Sequence, residues 1–189
     1  STDDFQIIYG GDGFQPLVDP TNSSVIYAQY QYGNIGKSTN DGASFFSATA
    51  GISSGDRKNW DTPIEMDPMD SQVLYYGANR LYKTTNAAGN WTAISPDLTN
   101  GSGGGNLTFG TIRSISVSPI DTSTIYVGTD DGNVQVSEDD GTTWTKHDVF
   151  EGIPKNTRVN MLTASIHDEK VVFAAFNAQR QGDFKPYLM

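Results

Sequence analysis

The stretch VSPIDTSTIYVGTDDGNVQVSEDDGTTW, Val117–Trp144, decides how the rest of the chain is read. A Ser-Pro turn leads into a β-branched run, a tight Thr-Asp-Asp-Gly-Asn turn, a second alternating run, and an acidic turn that ends on tryptophan. Asp-Gly and Gly-Asn tolerate positive φ, so the pattern predicts strands over Thr124–Gly128, Asn133–Ser137 and Trp144–His147, with an innermost strand at Thr111–Val117. The three carboxylates of SEDDGTTW, Glu138, Asp139 and Asp140, could serve chemistry or hold a turn. Recurrence separates the two.

STNDGASF (Ser38–Phe45) and TTNAAGNW (Thr84–Trp91) fit the same form, Ser/Thr-x-Asp/Asn-x-Gly-x-Ser/Thr-aromatic, with Ala88 replacing the expected glycine in the middle copy. Each is preceded by a second shared signal: VDPTNSSVIYA (Val18–Ala28), MDPMDSQVLYYG (Met66–Gly77) and VSPIDTSTIYVG (Val117–Gly128), with a weaker fourth copy in ASIHDEKVVFAA (Ala164–Ala175). The aromatic anchors Tyr27, Tyr75, Tyr126 and Phe173 stand 48, 51 and 47 residues apart. A period near 50 with several short strands per unit predicts an all-β fold, a β-propeller of four-stranded antiparallel blades. The expected division is 1–14 as the end of a preceding blade, 15–50, 51–98 and 99–150 as blades 1 to 3, and 151–189 as an incomplete blade 4.

A catalytic device has no reason to recur once per blade. The octets are therefore expected to be structural, with Ser38, Asn40, Gly42 and Phe45, then Thr84, Asn86 and Trp91, then Ser137, Asp139, Gly141 and Trp144 repeating the same tasks. Their spacing does not match an EF-hand loop, and no metal site is expected. The three copies resemble Asp-boxes, or BNR repeats, of sialidase-like and sortilin-like propellers, and NWDTPIEMDP (Asn59–Pro68), WTAISPDLT (Trp91–Thr99) and DFKPYL (Asp183–Leu188) are similar to secreted bacterial glycosyl-hydrolase-like BNR-repeat proteins. That resemblance implies a secreted or cell-envelope protein. It also implies that ligands bind on the face away from the octets.

Composition narrows the partners. A net charge of -10 opposes phosphate backbones and anionic membranes, so nucleic acid is excluded as a partner. No apolar run is long enough for a spanning helix, which argues against membrane insertion, and the first residues carry no basic and apolar leader. Cysteine is absent, which removes thiolate chemistry and disulfides, and no cofactor is implied. FQIIYGGDGF (Phe5–Phe14) reads as an outer strand and a connecting loop, and a third strand and another octet are due where blade 4 breaks off at Met189. Open end blades would meet further blades or self-associate. TNGSGGGNLTFG (Thr99–Gly110) is expected to connect blades 2 and 3 and to be mobile at Gly101–Gly105.

Alternation of turns puts Asp12, Tyr30, Tyr32, Asn34, Trp60, Asp61, Asn79, Arg80, Arg113, Asp130, Asp131, Arg158, Arg180 and Asp183 on the loop face. Tyr30, Tyr32, Trp60, Arg80, Arg113 and Arg158 are the candidates for binding a glycan or peptide, because rings stack on sugar faces while polar groups meet hydroxyls. The alternative has Tyr32 and Trp60 packing blades. Asp12, Asp61 and Asp130 are the candidates for glycoside hydrolysis, which needs two carboxyl groups, one with a raised pKa. Arg113 and Arg158 hold near-corresponding blade positions, with Glu65 the glutamate nearest an inner strand, so a sialidase-like signature is incomplete.

Overall fold

In the computed structural model, residues 7–102 and 109–189 are described. Three four-stranded antiparallel sheets and one three-stranded sheet follow one another along the chain, each a meander of sequential neighbours. Blade 1 contains β1 (Leu17–Val18), β2 (Ile26–Tyr30), β3 (Asn34–Ser38) and β4 (Phe46–Ser47). Blade 2 contains β5 (Ile64–Met66), β6 (Leu74–Gly77), β7 (Leu81–Thr84) and β8 (Thr92–Ala93). Blade 3 contains β9 (Ile112–Val117), β10 (Ile125–Thr129), β11 (Val134–Ser137) and β12 (Thr145–His147). The three-stranded blade 4 contains β13 (Arg158–Ala164), β14 (Val172–Asn177) and β15 (Tyr187–Leu188).

Two expectations change at the ends. Of the strand expected in Phe5–Phe14, Phe5 and Gln6 lie outside the described residues, and residues 7–14 form no strand. Tyr9 instead stacks on Phe45 and Tyr30, with ring centroids 4.8 and 5.9 Å apart, and so covers the rear of blade 1. The third strand of blade 4, expected to fall after Met189, is already present as β15, which pairs with Ala175 and Phe176. Gly103–Gly105 of the expected mobile connection lie outside the described residues.

The repeat is visible bond by bond between the first and second strands of every blade. Asp19, Asp67, Ser118 and Ser165 each donate their backbone N-H to Val25, Val73, Thr124 and Val171, respectively. In each case the polar side chain turns back on its own loop: Asp19 accepts from Thr21 N, Asp67 from Met69 N, Ser118 from Ile120 N and Ser165 from His167 N. These turns, three with proline and the fourth with Ile166 in its place, therefore carry one geometry four times.

Strand alternation then divides each second strand between two neighbours. Leu74 and Tyr76 of β6 join a buried cluster with Tyr27, Ile35 and Trp91, while Tyr75 faces the other way into a cluster with Ile112, Ile125 and Val127. Tyr126 of β10 repeats the role of Tyr75 and packs with Val159, Leu162 and Phe176 of blade 4. The stability of the fold thus resides largely between sheets. Gly77 and Gly128 let the next blade come close: a Cβ on Gly128 would lie 2.9 Å from Val159 Cβ, and one on Gly77 would lie 2.6 Å from Ile112 Cγ2.

Candidate functional site

The octets form one kind of turn, built by a hydroxyl and a carboxamide or carboxylate. Ser137 Oγ donates to Asp139 Oδ1 at 2.9 Å and accepts from Gly141 N at 2.8 Å, and Asp139 Oδ1 accepts from Thr143 N at 2.8 Å. Ser38, Asn40, Gly42 and Ser44 repeat these bonds, and Thr84, Asn86 and Asn90 repeat the side-chain part. Two successive residues adopt positive φ each time: Asp41 and Gly42, Ala87 and Ala88, Asp140 and Gly141. The hydrogen bonds to Thr143 and Ser137 lower the Asp139 pKa, so the carboxylate is committed to its turn. The aromatics that end the second and third octets pack between blades: buried Trp91 donates Nε1 to Ala48 O across to blade 1, and half-buried Trp144 meets the cluster between blades 2 and 3, whereas Phe45 of the first meets Tyr9.

At the inner edge of the sheets, a cavity of about 550 Å³ is lined by Phe14 and Gln15, by Asp61, Pro63, Ile64 and Glu65 at the start of blade 2, and by the facing residues of β9 and β13. β9 and β13 run side by side, joined by Leu162 N to Ser114 Oγ and Ala164 N to Ser116 Oγ, both at 2.9 Å. Asp61 Oδ2 forms an ion pair with Arg113 Nη1 at 2.6 Å. Burial pushes the pKa of Glu65 up to about 7, and a hydrogen bond from Gln15 only partly opposes it. The cavity therefore holds a carboxylate paired to a cation and a carboxyl group tuned close to neutrality.

The loop face holds the candidate rings. Tyr32 and Trp60 meet edge to face at 5.2 Å, tied by Tyr32 N to Trp60 O at 3.0 Å. They remain 50% and 44% exposed. Tyr32 has φ +61, rare for a bulky residue, and stands in a short 3-10 turn, Gln31–Gly33. Tyr30, also exposed, stacks on Tyr9. Asn34 donates to Gln31 O in the same loop.

Several other candidates are engaged elsewhere. Arg80 holds Asp56 through two bonds of 2.8 and 3.0 Å and also reaches Tyr82 Oη. Asn79 accepts from Arg57 N and donates to Asp97. Asp130, buried, accepts from Phe109 N and Thr111 N, and Asp131 from Asn100 N and Thr129 Oγ1, so both clamp the connection between blades 2 and 3. Asp183 accepts from Lys185 N and Tyr187 Oη. Asp12 is exposed in its loop and does not line the cavity. Arg158 sits half-buried at the start of β13, does not line the cavity, and has its Nε buried and unpartnered. Among the described residues no group of three or more His, Cys, Asp or Glu could hold a metal.

Gln15 and the cavity role of Glu65 were beyond sequence reasoning. The signal available was a glutamate on an innermost strand, the one place in a blade where an inward carboxyl is costly.

Known structures share this order of sheets. A GH74 enzyme from Niastella koreensis superposes with a TM-score of 0.59 at 24% identity, over 87% of this chain and 26% of that one. The fold is a β-propeller. A GH74 xyloglucanase from Xanthomonas campestris gives a TM-score of 0.62 at 21% identity over 85% of this chain and 26% of that one. A propeller chain in the COPII outer coat vertex gives 0.62 at 13% identity, over 92% and 47%. The chain thus spans about a quarter of the length of the two GH74 structures. No protein-family model and no curated protein matches it. Among the described residues, no helix of this propeller is long and apolar enough to cross a membrane.

Proposed function

We propose that this chain supplies part of the carbohydrate-binding face of a propeller, with Tyr32 and Trp60 as the stacking platform and the cavity at Asp61 as its polar floor. The observation that carries this is the strained, exposed Tyr32. A bulky residue at positive φ costs of order 1–3 kcal/mol, and here the ring adds little to the core, so the strain serves presentation of the ring to a ligand. The three octet turns are read as Asp-boxes of the sialidase-like or sortilin-like kind, on the strength of their shared bonds, and the protein as one exported from the cell.

The xyloglucanase among the similar structures makes xyloglucan oligosaccharides the first ligands to try. Calorimetry should show binding by the whole chain that falls at least tenfold in Trp60→Ala and Tyr32→Ala. Binding unchanged by Trp60→Ala would end this reading.

A second reading, glycoside hydrolysis, is favoured by Glu65, whose raised pKa suits a general acid in the cavity that also holds Asp61, ion-paired to Arg113. Its mark would be reducing-sugar release that disappears in Glu65→Gln while ligand binding persists.

A further inference from the structure

Asn100 is the one asparagine of the sequence that precedes a glycine. Such a pair is chemically reactive, because glycine leaves its amide nitrogen unshielded by a side chain and able to reach the carboxamide before it. Here Gly101 has φ +96, and the space where a Cβ would sit is open, with nothing within 4 Å. The pair lies on the connection between blades 2 and 3, with Asn100 exposed to water.

The Asn100 carboxamide is held unevenly. Oδ1 accepts from Lys146 Nζ at 2.8 Å and from Asn133 Nδ2 at 3.3 Å, so two donors, one of them charged, polarise the carbonyl. Lys146 has Asp148 as a more distant partner, at 3.2 Å. Nδ2, the group that would depart, makes a long contact of 3.3 Å to Asp131 O. The Gly101 N-H donates to Thr99 Oγ1 at 3.0 Å, and that hydroxyl donates in turn to Asp97 Oδ1 at 2.7 Å. Arg57 Nη2 fixes both, at 3.0 Å from Thr99 Oγ1 and 2.7 Å from Asp97 Oδ2. A nucleophile whose proton already faces an acceptor thus adjoins a carbonyl that faces a cation.

We propose that Asn100–Gly101 is a self-acting modification site, at which asparagine is converted to aspartate and isoaspartate without another protein, and that the product loosens the clamp on the connection between blades 2 and 3. Gly101 N bonds to Asn100 Cγ, the Cγ–Nδ2 bond breaks, and Nδ2 leaves as ammonia with the proton that Gly101 gave up. Water then opens either C–N bond of the cyclic imide, giving aspartate by one route and isoaspartate, with an extra main-chain methylene, by the other. Either product sets a carboxylate beside Asp131, which is buried, follows buried Asp130, and accepts from Asn100 N at 2.7 Å. Like charges repel strongly where water is excluded. In isoaspartate the lengthened main chain also cannot keep both the bond from position 100 to Asp131 and the bond from Gly101 to Thr99.

The test ages the whole chain at neutral pH and locates isoaspartate by peptide mapping and mass spectrometry, beside a free peptide of residues 97–103 and the variants Lys146→Met, Thr99→Val and Thr99→Ser. Expected is conversion at Asn100 at least as fast as in the free peptide. It should be about tenfold slower in Lys146→Met, as for the loss of one charged hydrogen bond, and slower in Thr99→Val, with the rate kept in Thr99→Ser. No conversion in the chain by the time the peptide has reacted overturns the site. Conversion unchanged or faster in Lys146→Met and Thr99→Val, as a merely loosened loop would give, overturns its assignment to this geometry. Hydrogen exchange in the converted protein, and in Asn100→Asp, should be faster at the amides of Phe109 and Thr111, which Asp130 holds. Exchange equal to that of the parent overturns the loosening.

Discussion

Replacing Gly128 with alanine tests the interlocking of blades at a single methyl. The glycine is not at positive φ, so alanine meets no backbone penalty and the whole effect comes from contact. The added Cβ would fall against Val159 Cγ1, 2.9 Å from Val159 Cβ and 3.3 Å from Leu162 Cδ1. Val159 is fully buried and β-branched, so it has no other rotamer to adopt cheaply, and Leu162 is buried as well. Overpacking of this kind costs about 1–3 kcal/mol, and the closeness of the contact places Gly128→Ala in the upper half of that range. For a chain of this size that is roughly 4–12 °C in melting temperature. The double variant Gly128→Ala/Val159→Ala should recover stability, because the new methyl enters the space that valine leaves, with a coupling of about 1 kcal/mol or more. Thermal and urea unfolding of the four proteins decide it. A Gly128→Ala protein within about 0.5 kcal/mol of the parent, or strictly additive variants, would refute the packing of β10 on β13.

Ser137→Ala should cost about 1–3 kcal/mol in urea unfolding, because the buried Gly141 N-H loses its acceptor, whereas Ser137→Thr, which copies Thr84, should be close to neutral. Glu65 has a raised carboxyl pKa, so the folded state binds the extra proton and its stability falls as pH rises from about 4.5 to about 7. Glu65→Gln should flatten that part of the pH profile and stabilise the protein at pH 8, by at most ~3 kcal/mol, and an unchanged profile would mean that Glu65 titrates like a surface acid. Phe173→Ser with Met161→Ser should reduce apolar-dye binding and self-association in light scattering, since both side chains, 52% and 59% exposed, stand on the open face of blade 4.

Much of this was legible in the sequence because repetition is a stronger signal than propensity. Blade 3 was readable strand by strand: the expected Thr124–Gly128 and Asn133–Ser137 differ by one residue from the observed β10 and β11. The Pro turns could be read since their polar residues bond locally, within a few positions. The first residues were misread as a strand because Ile7, Ile8 and Tyr9 have strand composition, yet here Ile8 and Tyr9 lie against Gly42 and Phe45 while Ile7 stays exposed. The candidate site was less legible. Loop-face membership followed from alternation, but whether Arg80 or Asp130 is free depends on Asp56 and on the N-H groups of Phe109 and Thr111, partners 24, 21 and 19 positions away. Glu65 stands out only once burial is known.

The aromatic anchors Tyr27, Tyr75 and Tyr126 all point toward the following sheet and never toward the preceding one. Stacking is consequently polar: each unit offers a ring in front and receives one behind, so any contact between two ends is head to tail. At the front, Phe173 stands ready to be received, while Ile8 and Tyr9 already occupy the rear of blade 1. The stack thereby has a direction, set by which face of each sheet carries the ring.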